Sequence, residues 1–302
     1  MDPAALLLVV GAGALAIRAA GKRRSHTGAS RAFTRLGQQP TRGGEASPPQ
    51  ESVPDFPEAP SARDAFILDA VRGGQAEIRW APVRSSYKGH QAEFRVFADA
   101  MKIGGVRVNL TAVGQQHVAD QLGCMLLTLM MADLIWSQRQ VELRPVELSK
   151  TQHDLQVMGT VERMVLHSHM IDEMIRALPQ PPEGIVSTVG KHWVISDALA
   201  QPKKLAAKAA MNYGWNNRFD GNVCATPAGV LPPGGPPCRV VQDPGTFHNF
   251  SHLDYSQTCT LMDGSCTVDG QRMSLAKLLQ DPVLSHLASH TGPMKVLRQP
   301  GA

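Results

Sequence analysis

Thr111-Ala-Val-Gly-Gln-Gln-His-Val-Ala-Asp-Gln-Leu-Gly123, running on through Cys124-Met-Leu-Leu-Thr128 to Ala132-Asp-Leu-Ile-Trp136, carries the helical middle of this chain. Thr111 has the side chain of an N-cap, and Gly123 supplies the left-handed residue that ends a helix at about Leu122. Thr128 offers a second cap, for a helix through about Gln140 with Leu129, Ala132, Ile135 and Trp136 on one stripe. A third amphipathic segment spans Val161–Leu178, turns Met164, Ile171, Met174 and Ile175 inward, and stops at Pro179-Gln-Pro-Pro182.

Strand-like runs lie on both sides of these helices. Ala76–Ala81 and Ala92–Ala98 flank a turn at Lys88-Gly89, and Val106–Leu110 follows. Ile185–Val189 and His192–Ser196 return after the third helix. Strands that precede and follow a helical middle predict an α+β fold with a single mixed or antiparallel sheet. Ser61-Ala-Arg-Asp64 resembles a capping box and marks the expected start of a globular domain over residues 61–302.

Upstream, Ala4–Ile17 is an unbroken small-and-apolar run followed by Arg18, Lys22, Arg23 and Arg24. Residues 1–24 therefore read as a short hydrophobic anchor helix with a basic flank and a membrane as its partner; if it spans a cellular membrane, the charge bias puts the N-terminus outside and the body in the cytoplasm. Residues 25–60 are rich in Gly, Ser, Pro, Gln and Arg and read as a disordered linker. The charge is uneven. Residues 1–42 carry seven Lys or Arg against Asp2, while the remainder holds 23 basic and 25 acidic residues. A near-neutral body gives no basic face for nucleic acid, so none is expected as a partner.

The five cysteines show no CxxC spacing. Cys224 and Cys238 bracket a Pro/Gly-rich loop and would close it as a disulfide in an oxidising compartment. Cys259 and Cys266 are expected on adjacent strands around an Asp263-Gly264 turn. Cys124 reads as a buried thiol, with a nucleophile paired to His248 as the alternative.

Thr246-Phe-His-Asn-Phe-Ser-His-Leu-Asp-Tyr-Ser-Gln-Thr258 is the densest polar cluster. If the chain from Ser251 is a strand, alternation places His252, Asp254 and Ser256 on one face, with His248 folding back from a preceding loop. His248, His252 and Asp254 then form a candidate metal set for zinc; without metal, His248 is a general base oriented by Asp254. Lys191 and His192 are candidates to stabilise developing charge. Trp193, Tyr213, Trp215, Tyr255 and Ser256 are the expected lining of a substrate pocket. There is no GxGxxG, P-loop, HExxH or GxSxG pattern.

Gly190-Lys-His-Trp-Val194, Asn212-Tyr-Gly-Trp215 and His248 through Gln257, with Gln116–Gly123, resemble segments of a family of bacterial proteins with no assigned activity. The resemblance covers about residues 63–300 and implies one evolutionary unit without naming a reaction. The His-to-Asp segment is also loosely similar to the metal loop of zinc D-Ala-D-Ala-type peptidases, whose His and Asp stand one residue further apart. Together these readings predict a membrane-anchored hydrolase of a cell-envelope polymer such as peptidoglycan, with a polymeric glycan or peptide substrate. The alternative is a non-catalytic envelope- or virion-associated protein with an aromatic-lined pocket.

Overall fold

The computed structural model describes residues 53–148, 155–187, 189–200, 209–217, 225–226, 229–230 and 239–302. The expected anchor, most of the expected linker, and Cys224 with Cys238 lie outside the described residues. Among the described residues no helix is long and apolar enough to cross a membrane.

Helix α1 (Pro60–Arg72) opens with Ala59 as N-cap and Pro60 in its first turn, so the Ser61–Asp64 capping box does not form. Asp64 instead accepts hydrogen bonds from the Thr111 N–H, at 3.1 Å, and from the Thr111 hydroxyl. The head also begins before Ser61. Phe56 is buried in the core, edge-on to Phe66, and residues 53–60 thus leave the linker.

Elements are numbered in chain order. β1 (Ala76–Glu77), β4 (Lys102–Ile103) and β5 (Val106–Arg107) form a small antiparallel sheet. Two-residue pairs join β7 (Val141–Glu142) to β8 (Val186–Ser187), and β11 (Ala225–Thr226) to β12 (Gly229–Val230). The main sheet contains β2 (Trp80–Tyr87), β3 (His90–Phe97), β6 (Cys124–Thr128), β9 (Lys191–Ile195), β10 (Ala209–Asn217), β13 (Arg239–Asn249), β14 (Leu261–Val268) and β15 (Gln271–Ser274). Its order is β13-β10-β9-β6-β14-β3-β2, with β15 beside β14. Every neighbouring pair is antiparallel except β6 with β9. A parallel pair needs a long crossover, and here it contains α3 (Leu129–Ser137), α4 (Leu155–Met158) and α5 (Val161–Arg176). The fold is α+β, and its sheet is mixed.

The helices α2 (Ala112–Leu122) and α3 start where their threonines predict. Thr111 accepts from the Gly114 N–H and Thr128 from the Met131 N–H. Gly123 takes the left-handed cap, at φ 65°. The β2–β3 turn uses Lys88 and Gly89, both at positive φ, the backbone that matches strand twist in a two-residue hairpin.

Three expectations fail. Cys124–Thr128 is an interior strand rather than a link between helices; buried on both sides, it has no alternation to display. Asp263-Gly264 makes no turn, because β14 runs straight through it. The Gly264 N–H donates to the Gly123 carbonyl at 3.0 Å, and that carbonyl leaves no room for a Cβ. The turn that forms is the second one the sequence offers, Asp269-Gly270, and Cys259 and Cys266 are both free and buried. The sequence from Asn216 to Thr246 reads as loop-rich, yet its ends belong to β10 and β13.

A buried charge network fixes α5 to the small sheet. Arg107, 1% exposed, donates to both Asp99 oxygens at 2.9 and 2.6 Å and to Asp172 at 2.6 Å. Its backbone N–H also reaches the Ser168 hydroxyl. A guanidinium buried this deeply is tolerable because its carboxylate partners come with it.

Candidate functional site

The strand-and-loop assignment of the polar cluster is reversed in the fold. His248 lies on β13, in register with Ala210 of β10, while residues 251–257 form a loop. The loop is shaped by its own side chains. Asp254 Oδ1 accepts from the Ser256 N–H at 2.7 Å and the Ser256 hydroxyl at 2.6 Å, and the Gln257 side-chain oxygen accepts from the Asp254 N–H at 2.8 Å. Such local bonds offer the backbone an alternative to a strand ladder.

Lys191 closes this loop onto β9. Its ammonium reaches Asp254 Oδ2 at 2.9 Å, and its N–H donates to the Ser256 carbonyl at 2.7 Å. Gly190 is required beside it, since a Cβ there would meet the Ser256 carbonyl oxygen at 2.5 Å. Asn109 takes up the Asp254 carbonyl, and Arg63 in turn holds Asn109. Burial would raise the Asp254 carboxyl, but the Lys191 ammonium and the Ser256 bonds outweigh it and hold the group below its ordinary range. Asp254 is therefore an ionised, fully engaged carboxylate, and the Ser256 hydroxyl is buried against it.

His248 and His252 do meet. Their ring centroids are 5.1 Å apart, and His248 stands edge-on to Trp193 at 5.8 Å. Burial, the neighbouring His252 and Lys191 hold His248 down at about 4, so its ring is neutral near pH 7. Asp254 does not complete a trio, because Lys191 and Ser256 occupy its oxygens. Among the described residues no three His, Cys, Asp or Glu side chains converge to hold a metal.

The pleat divides the expected pocket. Alternation along β9 sends Lys191 and Trp193 to one face and His192 to the other. Trp193 is fully buried, with its indole N–H donating to the Leu110 carbonyl at 2.8 Å, and it is a core residue rather than a ligand contact. Tyr255 is also a packing residue. Its hydroxyl accepts from the Leu148 N–H at 2.9 Å, and its ring stands edge-on to His167 at 5.1 Å and to Trp215 at 6.4 Å. Trp215 sits at positive φ after Gly214, where the β10–β13 register shifts, and faces the Lys191 ammonium at 5.7 Å. Cys124 is no nucleophile: burial, then Asp263, pushes its thiol up to about 12.

On the opposite face, His192 and Tyr213 are cross-strand partners. The Tyr213 hydroxyl donates to Asp133 Oδ1 at 2.7 Å, and His290 Nε2 lies 2.7 Å from Asp133 Oδ2. Burial and the adjacent Asp133 carboxylate both push the Tyr213 phenol upward, which keeps it a donor. His290 Nδ1 makes no hydrogen bond among the described residues, and the side chain is 21% exposed. Thr128 positions both partners. It caps α3, which carries Asp133, and its hydroxyl donates to the Ala288 carbonyl two residues before His290. The tail around His290 is pinned: Asp197 accepts from the Lys295 and Val296 N–H groups, each at 2.8 Å, and Gln299 donates to the Ala209 carbonyl.

A small hollow of about 30 Å³ adjoins His290 and is lined by Ser196, Ser289, Thr291 and Met130 among others. Met130 also lines an open groove of about 850 Å³ that runs over β2, β3 and the end of β14. The groove is walled by Ser85, Ser86, Gln91 and Thr267, with an Arg84–Glu93 ion pair and Asp269. Asp133 gave no signal in the sequence, because an acidic residue beside an apolar helical stripe reads as a solvated edge. No family model, curated protein or solved structure matches this chain.

Proposed function

We propose that the head is a hydrolase in which His290, held by Asp133, takes a proton from an attacking water and returns it to the leaving group as the substrate bond breaks, in a hollow that shares Met130 with the open groove. One observation carries this reading: a buried carboxylate, itself fixed by a tyrosine hydroxyl, grips one imidazole nitrogen and leaves the other free beside a hollow. That is the arrangement by which an acid–base histidine is oriented and its protonated form stabilised. His248, His252 and Asp254 give way to this pair because both Asp254 oxygens are engaged by Lys191 and Ser256.

The substrate class we favour is an uncharged or weakly charged envelope polymer, a glycan or peptide of the peptidoglycan type. An open groove of about 850 Å³ with Ser, Gln and Thr on its walls, and with its charged groups engaged as Arg84 with Glu93 and Asp269 with His90, suits an extended chain. The near-neutral body and the apolar N-terminal run followed by a long polar segment suit work at a surface. The test is release of soluble fragments from dye-labelled sacculi by the full chain, compared with His290→Ala and Asp133→Asn. Release abolished in both variants supports the reading. Equal release by wild type and His290→Ala removes it.

A second reading rests on the loop 251–257, whose polar groups are nearly all spent on one another and on Lys191. A head built this way also serves as a non-catalytic binding module. Retention of sacculi by the chain with no fragment release in any variant would favour it.

A further inference from the structure

A second hollow lies between α3, β9 and β10, separate from the one beside His290, and no residue lines both. Trp136, His192 and Asn216 line it, and each has a buried polar atom with no hydrogen-bond partner among the described residues: the indole N–H, the imidazole Nδ1 and the side-chain oxygen. Trp136 is 4% exposed and Asn216 6%. Buried polar atoms left unpaired are costly, so three around one space point to something that pairs with them.

We infer that this hollow is a binding site for the carboxamide tip of a small molecule or of a larger ligand's side group. The donor and acceptor set decides the chemistry. The indole nitrogen can only donate, so it needs an acceptor, and the Asn216 oxygen can only accept, so it needs a donor. A carboxamide supplies both. A carboxylate meets the indole but confronts the Asn216 oxygen, and an ammonium does the reverse. Among the described residues no Lys, Arg, Asp or Glu lines the hollow, so a charged guest would lose hydration without a counter-charge from them.

Burial holds His192 down at about 4, which leaves a neutral ring with one nitrogen to donate and one to accept. The volume, about 20 Å³, admits a group of a few atoms, not a whole ligand. The site is also held in shape: Arg139 stacks on the Trp136 ring at 4.1 Å, and the Tyr213 wall is tied to Asp133.

The experiment follows the indole N–H resonances of the labelled full chain during titration with acetamide, acetate and methylammonium. Trp136→Phe identifies the responding signal by its loss. We expect a saturable shift of that signal with acetamide, and affinities about tenfold weaker or worse for the two ions. Asn216→Ala should weaken acetamide about tenfold. Equal response to acetate, or a shift that never saturates, overturns the proposal, as does an unchanged affinity in Asn216→Ala. The ladder of three probes is run on the unsubstituted chain, and only the assignment of the signal depends on Trp136→Phe, so the comparison holds even if Asn216→Ala disturbs folding. Because hydrolysis at His290 is read separately, on sacculi, failure of either idea leaves the other standing.

Discussion

Asp254 and Asp133 are both buried carboxylates beside a basic side chain, yet they sit in opposite chemical situations. Asp254 receives Lys191 on one oxygen and two Ser256 donors on the other. Asp133 receives Tyr213 on one oxygen and His290 on the other, and the far nitrogen of that imidazole is unbonded next to a hollow. The first arrangement ends at the carboxylate. The second passes through it to a titratable group that reaches open space. A saturated ion pair is a structural clasp; a half-saturated imidazole is able to move a proton.

The comparison breaks most sharply on catalysis. His290→Ala should lower fragment release by about 10²–10⁴-fold, the range removed with a general base. Lys191→Met should leave the specific activity of the folded fraction near wild type. Equal losses in both variants would erase the distinction.

Stability should respond in the reverse order. Lys191→Met strands the Asp254 charge in the interior and should cost about 3–5 kcal/mol of unfolding free energy in a denaturant titration. Adding Asp254→Asn should return part of that loss by removing the uncompensated charge. His290→Ala should cost about 1 kcal/mol, since one hydrogen bond and a partly exposed ring are lost.

Acid should separate the regions further. Burial lowers His167 to about 3, and His192 and His248 to about 4, from 6.5. Unfolding below pH 6.5 therefore takes up protons the folded head refuses. This stability is complete above pH 6.5 and falls as pH drops towards the folded values, by about 1.4 kcal/mol per pH unit for each responding histidine. Asp254 is depressed in the folded head, so its share is present above 3.8 and is lost only as pH falls below that. Denaturant midpoints at pH 5 and pH 8, with His167→Gln flattening the difference between them, measure the first stage.

The smallest expected effect is that of metal. With Asp254 engaged, His248 and His252 present two neutral rings without a third ligand, and a purified head should carry well under one zinc per chain. Fragment release should be unmoved by a chelator. Stoichiometric zinc lost in His252→Ala would move the catalytic reading back to β13.

Much of the fold was legible. Thr111, Gly123 and Thr128 announce helix ends because caps and left-handed residues act through atoms a few positions away. Lys88-Gly89 announces the hairpin for the same reason. Cys124–Thr128 was hidden, since a strand buried on both faces looks like any other apolar run. At the site, Lys191, Asp254 and Ser256 were recognised as a group, but their roles were misjudged. Loop 251–257 was read as a strand, and the pairing of Lys191 with Asp254 spans 63 residues.

The amino-acid sequence by itself determined the caps, the turns, the amphipathic helices and the near-neutral charge of the body, all set by neighbours along the chain. Only the tertiary structure decided which polar residues are spent and which are free. The β9 pleat puts adjacent Lys191 and His192 on opposite faces, and the pinned tail brings His290 to Asp133 across 157 residues. A carboxylate's chemistry depends on how many of its oxygens are already taken, and those partners arrive from strands and tails far away in the chain.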